Sequence, residues 1–194
     1  MTTVTAENQK SRTFDMVYMA VFAALMAICS WISIPTVVPF TMQTFALFLA
    51  VGVLGGRRGS LTVLLYILLG AVGIPVFAGF QGGISVLMGP SGGYLIGFLF
   101  TALAMWAMEK LPGKKTWILA FSMVMGMIIY YVFGTAWFMV VYTKNTGAVA
   151  LATVLGWCVI PFIIPDFAKI AIALLLSKRL ARIIKIGVVS KANV

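Results

Sequence analysis

Asp166 and Lys169 are the residues whose types and spacing could do chemistry in this chain. They stand in the stretch IPDFAK (164–169), and no other acidic residue lies in an apolar segment. A spacing of three places both on one face of a helix, about 60° apart and about 4.5 Å along its axis. A carboxylate and an ammonium held this way suit recognition of a polar solute. Covalent chemistry has no candidates. The chain has no histidine, which removes the commonest base and metal ligand. Cys29 and Cys158 are two distant thiols in apolar runs. They make no metal site and read as buried thiols, not a disulfide. The turn PGKKT (112–116) lacks the upstream glycine of a phosphate-binding loop. No catalytic residue, metal or cofactor is expected, and the chain does not read as an enzyme.

The elements that must position this pair are membrane spans. Of 194 residues, 62% are hydrophobic and 9% are charged, against about 25% charged in soluble domains. Residues 16–56 and 59–108 contain no Asp, Glu, Lys or Arg. A span needs about 20 apolar residues, so each stretch holds two. The reading is an all-α integral membrane protein, a bundle of six transmembrane helices. Spans are expected near 16–34, 44–55, 59–74, 92–108, 117–140 and from about 160 or 166 to 180, with the tight turn GGRRG between the second and third. Residues 1–15 are expected as a cytoplasmic tail, 16–185 as the membrane domain and 186–194 as a second cytoplasmic tail. No internal repeat or second domain is evident.

The basic residues give the orientation. With the N-terminus inside, the inner side receives Lys10, Arg12, Arg57, Arg58, Lys110, Lys114, Lys115, Lys178, Arg179, Arg182, Lys185 and Lys191, twelve of the fourteen. The outer side receives Lys144, and Lys169 is the one remaining. Cytoplasmic loops are rich in Lys and Arg, and every short loop here obeys. The expected location is a bacterial plasma membrane with both termini cytoplasmic. The net charge of +10 is therefore a topology signal, and no nucleic-acid partner is expected.

Two outer connections are irregular and apolar. Residues 74–94 hold six glycines and two prolines, each unfavourable in a helix. Backbone that is neither helical nor wet must be buried in protein or line a cavity. This Gly/Pro-rich outer loop joins helices 3 and 4. The loop 34–44 has two prolines, no charge and Gln43. The third outer connection, 142–150, is more polar. Together the loops either roof a pocket or merely cap the bundle. The charge pair also has two readings. Ionisable groups within a membrane mark function by default. Alternatively, Pro165 begins helix 6, Asp166 caps its first turn at the positive end of the dipole, and Lys169 neutralises it.

The pattern GxRxGxxxxxxYxxxGxxGxPVFAG occurs as GGRRGSLTVLLYILLGAVGIPVFAG (55–79), followed by LMGPSGGYLIGF (87–98) and PDFAK (165–169). With six spans, the chain resembles BioY, the biotin-specific S component of energy-coupling-factor (ECF) vitamin transporters, over nearly its whole length. Ser91 departs from the pattern, where threonine is more often expected. The resemblance implies a membrane-embedded biotin-binding subunit. It would work with a transmembrane coupling protein and two ATP-hydrolysing subunits. An S component for another vitamin, or a structural subunit without a ligand, are the alternatives.

For biotin, the resemblance implies that Asp166 accepts from ureido N–H, and that Lys169 donates to the ureido oxygen or the tail carboxylate. Trp31, Phe77 and Phe80 would supply apolar walls, and Gln43, Gln81, Ser85, Ser91 and Tyr94 polar contacts. In helix 1, Ala20/Ala24 and Ala23/Ala27 form small-xxx-small pairs, which let helices approach closely in lipid. They serve packing within the bundle or, as the resemblance implies, docking on the coupling protein.

Overall fold

The computed structural model describes the backbone of residues 2–112 and 115–192, and the side chains of 13–112, 116–144 and 147–183. Lys10, Arg12, Lys114, Lys115, Lys185 and Lys191 of the expected charge clusters lie outside the described side chains. In chain order come α1 (Thr2–Trp31), β1 (Ser33–Ile34), β2 (Phe40–Thr41), α2 (Gln43–Leu54) and α3 (Gly56–Ala71). A 3₁₀ turn (Ala78–Phe80) and α4 (Ile84–Met88) follow, then α5 (Gly92–Met108), α6 (Lys115–Thr146), α7 (Leu151–Cys158) and α8 (Ile160–Ala192).

The six-helix bundle is made by α1, α2, α3, α5, α6 and α8. The segments Thr13–Trp31, Thr116–Lys144 and Leu151–Ile183 are long and apolar enough to cross a bilayer. Their outward faces carry apolar side chains such as Val21, Ile128, Val132, Ile164 and Leu175, 45–82% exposed. Lipid accepts such a surface where water would not.

At the centre lies α2, packed against α1, α3, α5 and α8. Ala46, Leu47, Phe48 and Ala50 are completely buried, as expected for a helix that is apolar on every side. Its 12 residues span about 18 Å, well short of a hydrocarbon core about 30 Å thick. The space beyond its N-terminal end is filled by irregular chain, residues 33–41 and 72–91. There β1 and β2 pair antiparallel, Ser33 opposite Thr41 and Ile34 opposite Phe40.

At the other end of α2, two carboxylates hold the GGRRG turn. Glu109 accepts the Gly56 N–H at 2.7 Å, and Asp15 pairs with Arg58 at 2.8 Å. The acidic residues near this end are thus committed to the turn.

Several sequence expectations are revised. Helix α8 begins at Ile160, so Pro165 lies inside it and Asp166 is its seventh residue. Proline there removes one N–H bond to residue 161 without ending the helix. The first-turn cap is thereby excluded. α7 adds a helix before α8 that was not expected. α1 is helical back to Thr2 and α8 onward to Ala192, so the expected tails continue these helices, which leaves the expected division of the chain unaltered. No proline or glycine interrupts residues 2–15. The two alanine pairs also separate. Ala23 and Ala27 are 3% and 5% exposed and pack inside the bundle, so they are not available for docking. Ala20 and Ala24 face outward.

Candidate functional site

A cavity lies beyond the N-terminal end of α2. It encloses about 700 Å³, its open mouth included. Its walls come from β2, the start of α2, the 77–91 segment, α5, the middle of α6, and the α7–α8 junction. Asp166 and Lys169 both line it, 3% and 5% exposed.

The pair is closed by its own neighbours. Lys169 Nζ donates to Asp166 Oδ1 at 2.7 Å, to the Thr41 carbonyl at 2.7 Å and to Thr44 Oγ1 at 3.2 Å. It also lies 4.0 Å from the centre of the Phe40 ring, a cation–π contact strengthened by removal from water. The hydroxyls of Tyr130 and Tyr131 each donate to Asp166 Oδ2 at 2.6 Å. Thr44 Oγ1 donates to Oδ1 at 3.3 Å. A buried ion pair is tolerated only when hydrogen bonds satisfy its remaining sites, and here they do.

Packing fixes these partners. The Tyr130 ring meets Phe98 edge-on at 5.6 Å and Phe48 at 6.4 Å, and is 2% exposed. Tyr94 lies flat against Gly134 of α6, where any Cβ would collide with its ring. Its hydroxyl is 3.3 Å from Thr135 Oγ1. Phe77 sits against Gly70 of α3 in the same way and meets Tyr66 edge-on at 5.6 Å. The neighbouring Val76 carbonyl accepts from Ser30 Oγ at 2.6 Å and Tyr66 Oη at 2.7 Å. Gln43 Nε2 donates to the same Tyr66 oxygen at 2.7 Å. One chain of hydrogen bonds therefore ties α1, α2 and α3 to the irregular segment that roofs the cavity.

Of the residues expected at a site, the fold brings Asp166, Lys169, Gln43, Gln81, Ser91, Tyr94 and Phe77 to this cavity. Three are placed elsewhere. Trp31 and Phe80 stack on each other at 4.9 Å, 37% and 65% exposed, and Trp31 donates to the Pro75 carbonyl. They fasten the roof to α1 from outside. Ser85, on α4, is not part of the lining. Sequence reasoning missed Tyr130, Tyr131, Thr41, Thr44 and Phe40. The adjacent tyrosines were the available signal, since two hydroxyls inside an apolar span need partners.

A wider cleft lies at the other end of α2, bordered by Arg58, Glu109 and Lys178. Its charged groups are the turn clamps and the exposed Lys178, and its buried serines, Ser122 and Ser177, donate to carbonyls of their own helices. It gathers no buried charge pair, so the smaller cavity is the candidate site.

Comparison with known proteins points the same way. The family model described as the BioY family matches residues 3–186. A biotin transporter BioY of Thermotoga maritima is 38% identical over 170 residues, covering 87% of this chain and 96% of that one. A probable biotin transporter BioY of Pyrococcus horikoshii is 40% identical over 162 residues, covering 83% and 92%. Among solved structures, the 2.1 Å crystal structure of the S-component for biotin from an ECF-type ABC transporter superposes with a TM-score of 0.78. It is 27% identical and covers 94% of this chain and 95% of that chain.

Proposed function

Because the chain belongs to the BioY family, we propose that it is the membrane-embedded biotin-binding subunit of an ATP-driven ECF-type uptake transporter. The observation that carries the reading is the charge pair Asp166–Lys169, buried at the wall of a cavity whose lining holds no other charged residue. Biotin offers a cyclic urea with two N–H donors and one carbonyl, an apolar bicycle, and a carboxylate tail. Asp166 accepts from the ureido N–H. Lys169 donates to the ureido oxygen or to the tail carboxylate. Phe77, Leu95, Phe98 and Phe162 supply apolar wall, and Gln43, Gln81, Ser91 and Tyr94 the secondary polar contacts. Hydrogen bonds to charged groups, made out of water, give orientation as well as affinity.

Transport would need partners: a transmembrane coupling protein and two ATPase subunits, with ATP hydrolysis belonging to them. Ala20 and Ala24, exposed on α1 beside Val17 and Val21, offer the coupling protein a flat face for close helix contact. Both termini would be cytoplasmic, with the cavity towards the outside.

A thermal-shift panel of vitamins on the detergent-purified protein tests the reading. Biotin is expected to raise the melting temperature, and the other vitamins are not. A shift with a different vitamin would reassign the solute. No shift with any would favour a structural subunit.

A further inference from the structure

The charged groups of the site have no vacancy. A carboxylate offers about four acceptor positions and an ammonium three donors. Asp166 receives two bonds on each oxygen, and each of the three Lys169 protons has an acceptor. A solute cannot simply add to this pair. It must take the place of a group already there.

The bonds are not equal. Those of Tyr130, Tyr131, the Thr41 carbonyl and the ion pair itself are 2.6–2.7 Å. The two made by Thr44 Oγ1 are longer. It donates to Asp166 at 3.3 Å, beyond the usual range of about 2.5–3.0 Å for a hydroxyl donor, and it accepts from Lys169 at 3.2 Å, the long limit of about 2.7–3.2 Å for an N–H donor. Thr44 alone touches both charges, donating to Asp166 and accepting from Lys169. That is the pattern presented by one edge of a cyclic urea or lactam, whose N–H and C=O lie side by side.

We propose that the Thr44 hydroxyl is an internal stand-in for the solute. It bridges Asp166 and Lys169 in the empty protein and is displaced by the donor–acceptor edge of the bound solute, while Tyr130 and Tyr131 keep hold of Asp166 throughout. The inference rests on the proposed binding of biotin at this pair. A stand-in keeps both charges satisfied between binding events. Because its bonds are long, displacing it costs less than displacing a tyrosine.

The test is biotin affinity and empty-state melting temperature for wild type, Thr44→Val and Thr44→Ser. Valine keeps the shape and removes the hydroxyl. Without a competitor to displace, Thr44→Val is expected to bind biotin about two- to tenfold more tightly and to melt lower when empty. Thr44→Ser keeps the hydroxyl and is expected to show neither change. Equal or weaker affinity in Thr44→Val overturns the proposal and leaves the functional reading standing. Failure of biotin to stabilise wild type overturns both. Should Thr44→Val not fold, a structure of the wild type with biotin decides. Thr44 Oγ1 is expected beyond about 3.5 Å from both Asp166 and Lys169. Retention of both bonds overturns the proposal.

Discussion

The Lys169 ammonium donates to the Thr41 carbonyl at 2.7 Å across 128 residues of sequence. That bond joins the third turn of α8 to the last residue of the hairpin, so the ion pair fastens the roof of the cavity as well as lining it. The ammonium thereby ties the end of the hairpin to α8.

A solute role and a purely structural role for the pair make different predictions. A hydrogen bond to a charged group is worth about 1.5–3 kcal/mol. Asp166→Asn is therefore expected to weaken biotin binding about 10- to 150-fold, and Lys169→Met by a similar factor. Both variants also lose contacts to the tyrosines or to Thr41, so their empty forms are expected to melt lower. Affinity measured on the folded fraction separates the two roles. Affinity within about twofold of wild type, roughly 0.4 kcal/mol, would leave the pair with a structural role alone.

The sequence disclosed what is rare in a membrane protein and hid what is common. A carboxylate and an ammonium among apolar residues stand out, and so do the charge-free stretches that made the six helices legible. Tyr130 and Tyr131 were hidden because aromatic residues within a span are ordinarily packing. Thr44 was hidden because nothing in the sequence fixes the rotation of α2, a helix buried on every side. Trp31 and Phe80 misled for a related reason. Aromatic residues beside a glycine-rich loop look like pocket wall, and only the fold shows that they stack on each other outside it. The start of α8 was ambiguous because Pro165 fits equally well at a first turn or, at the loss of one hydrogen bond, inside a helix.

Orientation is open to labelling. Cys29 and Cys158 are 6% and 1% exposed, so the native thiols give little background. Lys144 stands exposed at the C-terminal end of α6. In intact cells an impermeant thiol reagent is expected to label Lys144→Cys and to miss Lys114→Cys. Labelling at 114 with none at 144 would reverse the topology.

The alanines of α1 make a paired prediction, since Ala24 faces outward and Ala27 faces the core. Ala24→Trp is expected to keep biotin binding and to reduce co-purification with the coupling protein. Ala27→Trp is expected to destabilise the subunit itself, by at least the 1–3 kcal/mol or so typical of overpacking. Undiminished co-purification of Ala24→Trp would remove this face from the docking surface.

Two glycines give opposite expectations under the same change. At Gly70 a Cβ would run into the Phe77 ring, which is 1% exposed and forms part of the cavity wall. The ring is also held by Tyr66, and the preceding carbonyl is held by Ser30 and Tyr66, so it has little freedom to give way. Gly70→Ala is expected to cost about 1–3 kcal/mol of stability and to weaken biotin binding, because relief requires the wall to move into the cavity. At Gly156, inside α7, a Cβ would meet nothing within 4 Å. Gly156→Ala there is expected to stabilise by about 0.5–1 kcal/mol and to leave affinity unchanged. Melting temperature and biotin affinity measured together on both variants check the argument. A Gly70→Ala protein with wild-type melting and wild-type affinity would show that the Phe77 ring is free to move and does not set the shape of the site.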